Sequence, residues 1–282
     1  MDKFYNIHME TEIFSKTNIE EEVSNLSQIL TSAKSYQWIK NETLVVIIRQ
    51  DNSSFCDKLS TMDLCGKYMI DWVSLSLSVC EQKIINAADS AKLLQYLKDL
   101  KTDKRYIFIT YSDIPLLERN TFYKIMDYFS SNNLNAMKFD RGLIYKTEFL
   151  QDAIDLDPVV KKYFGGKDFE RIEDASDFAR AYTFLQNKIK NYHKNNNVVL
   201  LGEDTIFIDA DVEIESGVII YPNNILKGQT YIGKNVVLES GNTISDSIIS
   251  NNCIIEKSVI IKSKVEENKS VKPFTIVENE SI

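Results

Sequence analysis

Few side chains in this sequence suit nucleophilic or general-base chemistry. The 282 residues hold two histidines, His8 and His193, and four cysteines, Cys56, Cys65, Cys80 and Cys253. The cysteines lack the paired spacing of a zinc site or a disulfide framework, so they read as reduced, inert thiols. Carboxylates and basic groups are plentiful, 41 against 33, and the net charge is −8. Their positions relative to the strands therefore matter more than their number. An apolar strand running into Ser112-Asp113-Ile114-Pro115 places a carboxylate at a strand end, where it either caps a turn or faces a ligand. Glu173 and Asp174 precede an apolar helical stripe and read as helix N-terminal acids.

These residues need elements to position them. Residues 43–48 form a continuous apolar, β-branched run, as expected of a buried parallel strand. Residues 68–79 read as helix, 83–85 as a short strand, 89–100 as helix and 105–111 as a second strong strand. A helix over 121–130 and short strands over 136–139 and 142–146 follow. Strands alternating with helices predict an α/β domain around a largely parallel sheet, with ligands at the strands' carboxyl ends. The loops after Ile48 and Tyr111 are the ones that matter. Ahead of this domain, Thr17-Asn18-Ile19-Glu20 has the capping-box pattern. Val23, Leu26, Ile29, Leu30 and Ala33 then predict an amphipathic helix.

The last eighty or so residues obey a different period. Ile208, Ile214, Ile220, Leu226, Ile232, Leu238 and Ile244 recur every sixth residue. The frame then slips and resumes at Ile249, Ile255 and Ile261, and again at Val265, Val271 and Val277. A second lane runs through Val212, Val218, Asn224, Thr230, Val236, Asn242 and Ile248, then Cys253, Val259 and Thr275. A period of six fits neither a lone helix nor a two-faced strand. It fits a parallel β-helix in which three hexads close one coil. Gly, Asn, Asp and Ser mark the corners, where unusual φ is tolerated.

The predicted organisation is a 1–42 extension with a helix, an α/β domain over 43–173, a linker helix over 174–197 and a β-helix over 198–282. The 44% hydrophobic content supports two packed domains. The acidic balance argues against a nucleic-acid footprint. Met1-Asp2-Lys3-Phe4 opens no signal-peptide core and no stretch approaches a membrane span, so the expectation is a cytoplasmic protein without membrane contact.

Three stretches of the coil carry a resemblance: Asp209-Ala210-Asp211-Val212-Glu213-Ile214, Ile220-Tyr221-Pro222-Asn223, and Leu226-Lys227-Gly228-Gln229-Thr230-Tyr231-Ile232-Gly233. Together they resemble the β-helix entry of bacterial UDP-N-acetylglucosamine pyrophosphorylases, enzymes usually fused to a glucosamine-1-phosphate acetyltransferase. Asp246-Ser247, Lys272-Pro273-Phe274 and the helix opening at Asp174 fit the same family. In the first half, Thr110-Tyr111-Ser112-Asp113-Ile114-Pro115-Leu116-Leu117 is similar to the family's strand-end motif, whose Asp holds the catalytic Mg²⁺. Gly66-Lys67-Tyr68-Met69 resembles its Gly-Lys-Pro-Met helix start. Asp140-Arg141-Gly142-Leu143-Ile144-Tyr145 resembles the Asn-Thr-Gly-Ile-Tyr stretch near the sugar pocket.

The resemblance implies a reduced, Rossmann-like nucleotidyltransferase domain joined to a left-handed β-helix. It implies Mg²⁺ on Asp113 with Glu173 or Asp174 as second ligand, and Lys58 near the catalytic lysine position. Nucleotide and sugar phosphate would be the ligands, and three copies would assemble through the coil. The departures count against turnover. The family's glycine loop follows its first strand, whereas Arg49 and Asp51 stand at its two glycine positions. An Asp there repels a polyphosphate, by about 1 kcal/mol at 4 Å in water and more when shielded. No Gly-Thr loop for uracil is found. The chain ends soon after Phe274 and no His follows His193, so acetyl transfer is not expected. Two readings stay open: a divergent, weakened sugar-1-phosphate nucleotidyltransferase, or a non-catalytic ligand- or protein-binding relative trimerised by its coil.

Overall fold

The structure, a computed structural model, describes residues 36–49, 58–86 and 89–282. The expected helix near residues 23–33, Asp51 and Cys56 lie outside them. After a short helix (Gln37–Glu42), the head is built on five strands: β1 (Thr43–Arg49), β2 (Glu81–Asn86), β3 (Tyr106–Tyr111), β4 (Ala136–Phe139) and β5 (Gly142–Lys146). Their order is β2-β1-β3-β5-β4. β1 pairs parallel with β2 and β3, while β5 runs antiparallel to both β3 and β4. The sheet is therefore mixed. The tight Asp140-Arg141 connection turns β4 straight back into β5, which a parallel pair does not allow.

Alternation along β1 explains why the run 43–48 is apolar throughout. Val45 and Ile47 pack under helices Met69–Ser76 and Arg119–Ser131. Val46 and Ile48 face the opposite side, with Leu93 and Leu97 of helix Ser90–Asp99 and Leu150 of helix Thr147–Gln151. Both faces are covered, so neither lane needs polar residues. Helix Ser90–Asp99 starts where Asp89 Oδ1 accepts the Lys92 amide at 2.7 Å.

The linker helix, Ala175–Asn195, begins in a capping box: Asp174 accepts from the Asp177 amide, and the Asp177 carboxylate accepts the Asp174 amide. Its buried stripe of Phe178, Ala181, Leu185 and Ile189 lies in one apolar cluster with the coil. Leu59, Leu64, Cys65 and Met69 of the head join that same cluster. Residues 59–69 thus pack with the helix and coil as well as with the head.

The C-terminal part is a left-handed β-helix of three parallel sheets. Ile208, Leu226, Ile244, Ile260 and Val277 stack on one face, Ile232, Ile249 and Val265 on the second, and Ile220, Leu238, Ile255 and Val271 on the third. These side chains are almost fully buried. Two details differ from the sequence expectation. Ile260, not Ile261, points inward, and Ser247 and Ser258, not Ile248 and Val259, fill the second lane. The corners at Asp246, Lys257 and Lys262 take left-handed φ of 49°, 40° and 47° and are one residue shorter than a hexad corner. A one-residue deletion reverses which neighbour points inward.

The polar second lane is a hydrogen-bonded ladder. Buried Asn224 and Asn242 stack on one another, with Asn242 Nδ2 donating to Asn224 Oδ1 at 2.9 Å. Asn242 Oδ1 accepts the Ser258 amide at 2.9 Å in the next coil. These amides satisfy corner backbone that faces no solvent.

Candidate functional site

β1 and β3 end side by side, with the Ser112 amide donating to the Ile48 carbonyl at 3.0 Å. Asp113 follows directly at this carboxyl edge. Because β5 is antiparallel, its start lies at the same edge and brings Arg141 there. Gly142 is required for that approach: a Cβ on it would overlap the Phe139 ring and the Ile109 carbonyl. Thr110 Oγ1 fixes the turn by donating to the Arg141 carbonyl at 2.9 Å.

Arg141 grips Asp113 in a two-point fork, Nε to Oδ1 at 3.0 Å and Nη2 to Oδ2 at 2.7 Å. Its guanidinium carbon sits 3.9 Å from the centre of the Tyr111 ring. Arg171 Nε donates to Asp113 Oδ2 at 3.1 Å, and the neighbouring Ile172 amide donates to the Asp113 carbonyl at 2.9 Å. Arg171 also pairs with Glu173. Asp113 is largely buried, its side chain 16% exposed, whereas Arg171 is 44% exposed.

The fold thus brings Asp113 and Glu173 together, sixty residues apart in sequence, around one arginine. Asp174 turns away to cap the linker helix. Lys58 opens a short helical turn whose Leu59 packs in one cluster with Leu116 and Ile172, and its own side chain is exposed. No contact between Lys58 and Asp113 exists among the described residues. Asp140 is used structurally, accepting the Phe164 and Gly165 amides at 2.7 and 3.0 Å. Gly66-Lys67 docks on the coil: Lys67 pairs with Asp211 at 2.6 Å, and the Ala210 amide donates to the Cys65 carbonyl at 3.0 Å.

Arg171 carried no signal in the sequence, since it lies in an irregular connector. Arg141 sat inside a quoted motif, but a replaced threonine gave no hint that the new side chain would grip Asp113.

Magnesium ion needs converging, open oxygen ligands. The three carboxylates expected to supply them do not fit. Asp113 is saturated by two guanidiniums, Glu173 is bridged to one of them, and Asp174 is a helix cap. Among the described residues no group of three His, Cys, Asp or Glu is poised for a metal. A divalent cation placed at Asp113 would also meet the arginines, and each unit-charge pair 4 Å apart costs about 4 kcal/mol at an effective dielectric near 20.

A concavity of about 1140 Å³ lies between the end of the linker helix and the coil, lined by Tyr192, His193, Glu213, Glu215 and Tyr231 among others. His193 is 3% exposed, and its Nδ1 has no hydrogen-bond partner among the described residues. Burial pushes its pKa down from 6.5 to about 4. The unfolded chain therefore binds the extra proton between pH 6.5 and about 4, so stability falls as pH drops through that window. The expected loss through this one group is about 3 kcal/mol. Buried Asp209, whose carboxyl is pushed up by burial, acts in the opposite sense. Comparing denaturant unfolding of the wild type with His193→Leu at pH 7 and pH 4 isolates the histidine; equal pH slopes would refute its role.

A mixed sheet with a charged carboxyl edge, joined by a long helix to a left-handed coil of hexads, defines an α/β head on a β-helix. No family model matches the chain. Curated relatives do, among them bifunctional GlmU proteins. That of Clostridium acetobutylicum is 43% identical over 97 residues, 34% of this chain and 21% of its own length. That of Clostridium botulinum is 32% identical over 185 residues, 64% and 37% of the two chains. That of Listeria welshimeri is 27% identical over 203 residues, 71% and 41%. The chain is thus similar to GlmU proteins over part of its own length and a smaller part of theirs. The chain spans only 21–41% of the length of these relatives. Among solved structures, the 4-diphosphocytidyl-2C-methyl-D-erythritol synthase of Anaerococcus prevotii superposes with a TM-score of 0.40 at 10% identity, covering 53% of this chain and 98% of that one. No described helix is long and apolar enough to cross a membrane.

Proposed function

We propose that the head is a sugar-1-phosphate nucleotidyltransferase-like domain that binds a phosphorylated ligand, a nucleotide or sugar phosphate, without transferring a nucleotidyl group. One observation carries this reading. The strand-end Asp113 is present at the ligand edge, but Arg141 and Arg171 hold it. Guanidinium donors suited to a phosphate are gathered at this edge, balanced by Asp113 and Glu173, while the oxygens that would organise a divalent ion are consumed.

Titration calorimetry of the full chain with UTP, and separately with N-acetylglucosamine 1-phosphate, tests it. Binding of at least one is expected, together with pyrophosphate release no faster than buffer when both are supplied. If neither binds, the head is not a phosphorylated-ligand site. The second reading is retained turnover: a sugar phosphate oxygen attacks the α-phosphate of the nucleotide and pyrophosphate leaves, with Lys58 nearby. What favours it is that Lys58 is exposed and its neighbour Leu59 belongs to the same apolar cluster as Leu116 and Ile172, which flank Asp113 and Arg171. Sustained pyrophosphate release lost in Lys58→Ala would establish that reading.

The proposal includes assembly of three copies through the coil. The outward stripe of Val199, Ile219, Val237 and Ile254 supports it. These side chains stack in register on one face, and the two outermost are 47% and 46% exposed. Light scattering should give three times the chain mass, falling to the single-chain mass in Val237→Asp. A wild-type monomer at every concentration would end the assembly claim.

A further inference from the structure

We infer that Arg141 and Arg171 take the place of a divalent cation, so that the head receives its phosphorylated ligand without a metal ion. The inference rests on the reading of the head as a phosphorylated-ligand site only for the class of ligand. Its core is the charge arrangement around Asp113. Among the described residues two guanidiniums face two carboxylates, Asp113 and Glu173, so their charges balance before any ion arrives. Arg141 is held on three sides. It forks onto Asp113, lies over the Tyr111 ring, and its carbonyl accepts from Thr110. It is a fixed charge, 17% exposed, in contrast with an exchangeable ion. Arg171, more exposed and on the irregular connector, offers the outer guanidinium to solvent. Planar guanidiniums match phosphate oxygens as well as they match carboxylates.

Removing the arginines should uncover a cation site, because Asp113 would then lose both guanidiniums that hold its oxygens and Glu173 would lose its contact with Arg171. The full chain is titrated with Mn²⁺, and free ion is followed by electron paramagnetic resonance. The wild type is expected to show no Mn²⁺ site that depends on Asp113. The double variant Arg141→Ala, Arg171→Ala should bind one Mn²⁺ at least about tenfold more tightly, and adding Asp113→Asn should abolish that gain. A wild-type Mn²⁺ site lost in Asp113→Asn overturns the inference. So does a folded double variant, by circular dichroism, that gains none.

Because the double variant removes a partly buried ion pair, a second arm uses Arg171→Ala alone. UTP affinity of the wild type should differ less than about twofold between EDTA and Mg²⁺, and should drop about tenfold in Arg171→Ala in EDTA. Dependence of wild-type binding on Mg²⁺ overturns the inference. Absence of UTP and sugar phosphate binding under both conditions defeats the functional reading instead, and the Mn²⁺ arm still decides this one.

Discussion

Asn242→Leu should lower the unfolding free energy by about 4 kcal/mol, although leucine is the more apolar residue and the site is fully buried. Asn242 Nδ2 donates to Asn224 Oδ1, to the Glu239 carbonyl at 2.6 Å and to the Ile255 carbonyl at 3.1 Å. Its Oδ1 accepts the Ser258 amide. Leucine would strand these partners inside the prism, each lost partner costing about 1–3 kcal/mol. The gain from one more buried side chain offsets only part of that. Denaturant unfolding of the two chains measures the difference. A change under 1 kcal/mol would mean that the ladder is decorative and that apolar packing alone holds the corner.

Gln186→Leu is expected to cost about 3 kcal/mol and to loosen the seam between the linker helix and the coil. The strand Phe207–Ile208 is the end strand of its sheet. Its outer edge would leave backbone groups without a partner. Gln186, 3% exposed on the linker helix, supplies both: Nε2 donates to the Ile208 carbonyl at 2.8 Å and Oε1 accepts the Ile208 amide at 3.1 Å. Lys190 adds a bond from Nζ to the Glu203 carbonyl at 2.6 Å. A side-chain amide thus ends the sheet as another strand would. Leucine keeps the volume and loses both bonds, which separates capping from packing. The decisive measurement is amide exchange at Ile208 and its neighbours, which should rise in the variant. Unchanged protection with unchanged stability would remove the cap from the account.

The two predictions concern residues of one kind. Both are polar side chains at positions where the sequence pattern calls for apolar ones. In the coil, Asn224 and Asn242 stood in a lane shared with valines and small residues such as Thr230 and Cys253, and the six-residue period placed them there without saying why they were tolerated. Gln186 lies on the helix face next to Leu185 and Ile189, where periodicity alone reads it as an interruption. Each becomes intelligible only when its backbone partners, 13 to 22 residues away for the cross-coil and seam bonds, are known.

The legible parts of this protein were those set by local rules. The hexad lane, the apolar strand 43–48, the box opening at Asp174 and the strands 136–139 and 142–146 follow from side-chain period, burial and capping chemistry within a few residues. The coil's shortened corners were visible as slips, but the placement of Ile260 and Ser258 depended on which residue took the left-handed turn, a choice made by stacking against the coil before. At the candidate site the sequence determined that a carboxylate ends β3. Tertiary structure alone decided what that carboxylate touches. Arg141 reaches it because β5 runs back antiparallel past a glycine, and Arg171 because a connector returns 58 residues later. Electrostatic partners act through space across a few ångströms, and nothing along the chain encodes which charges the fold will make neighbours.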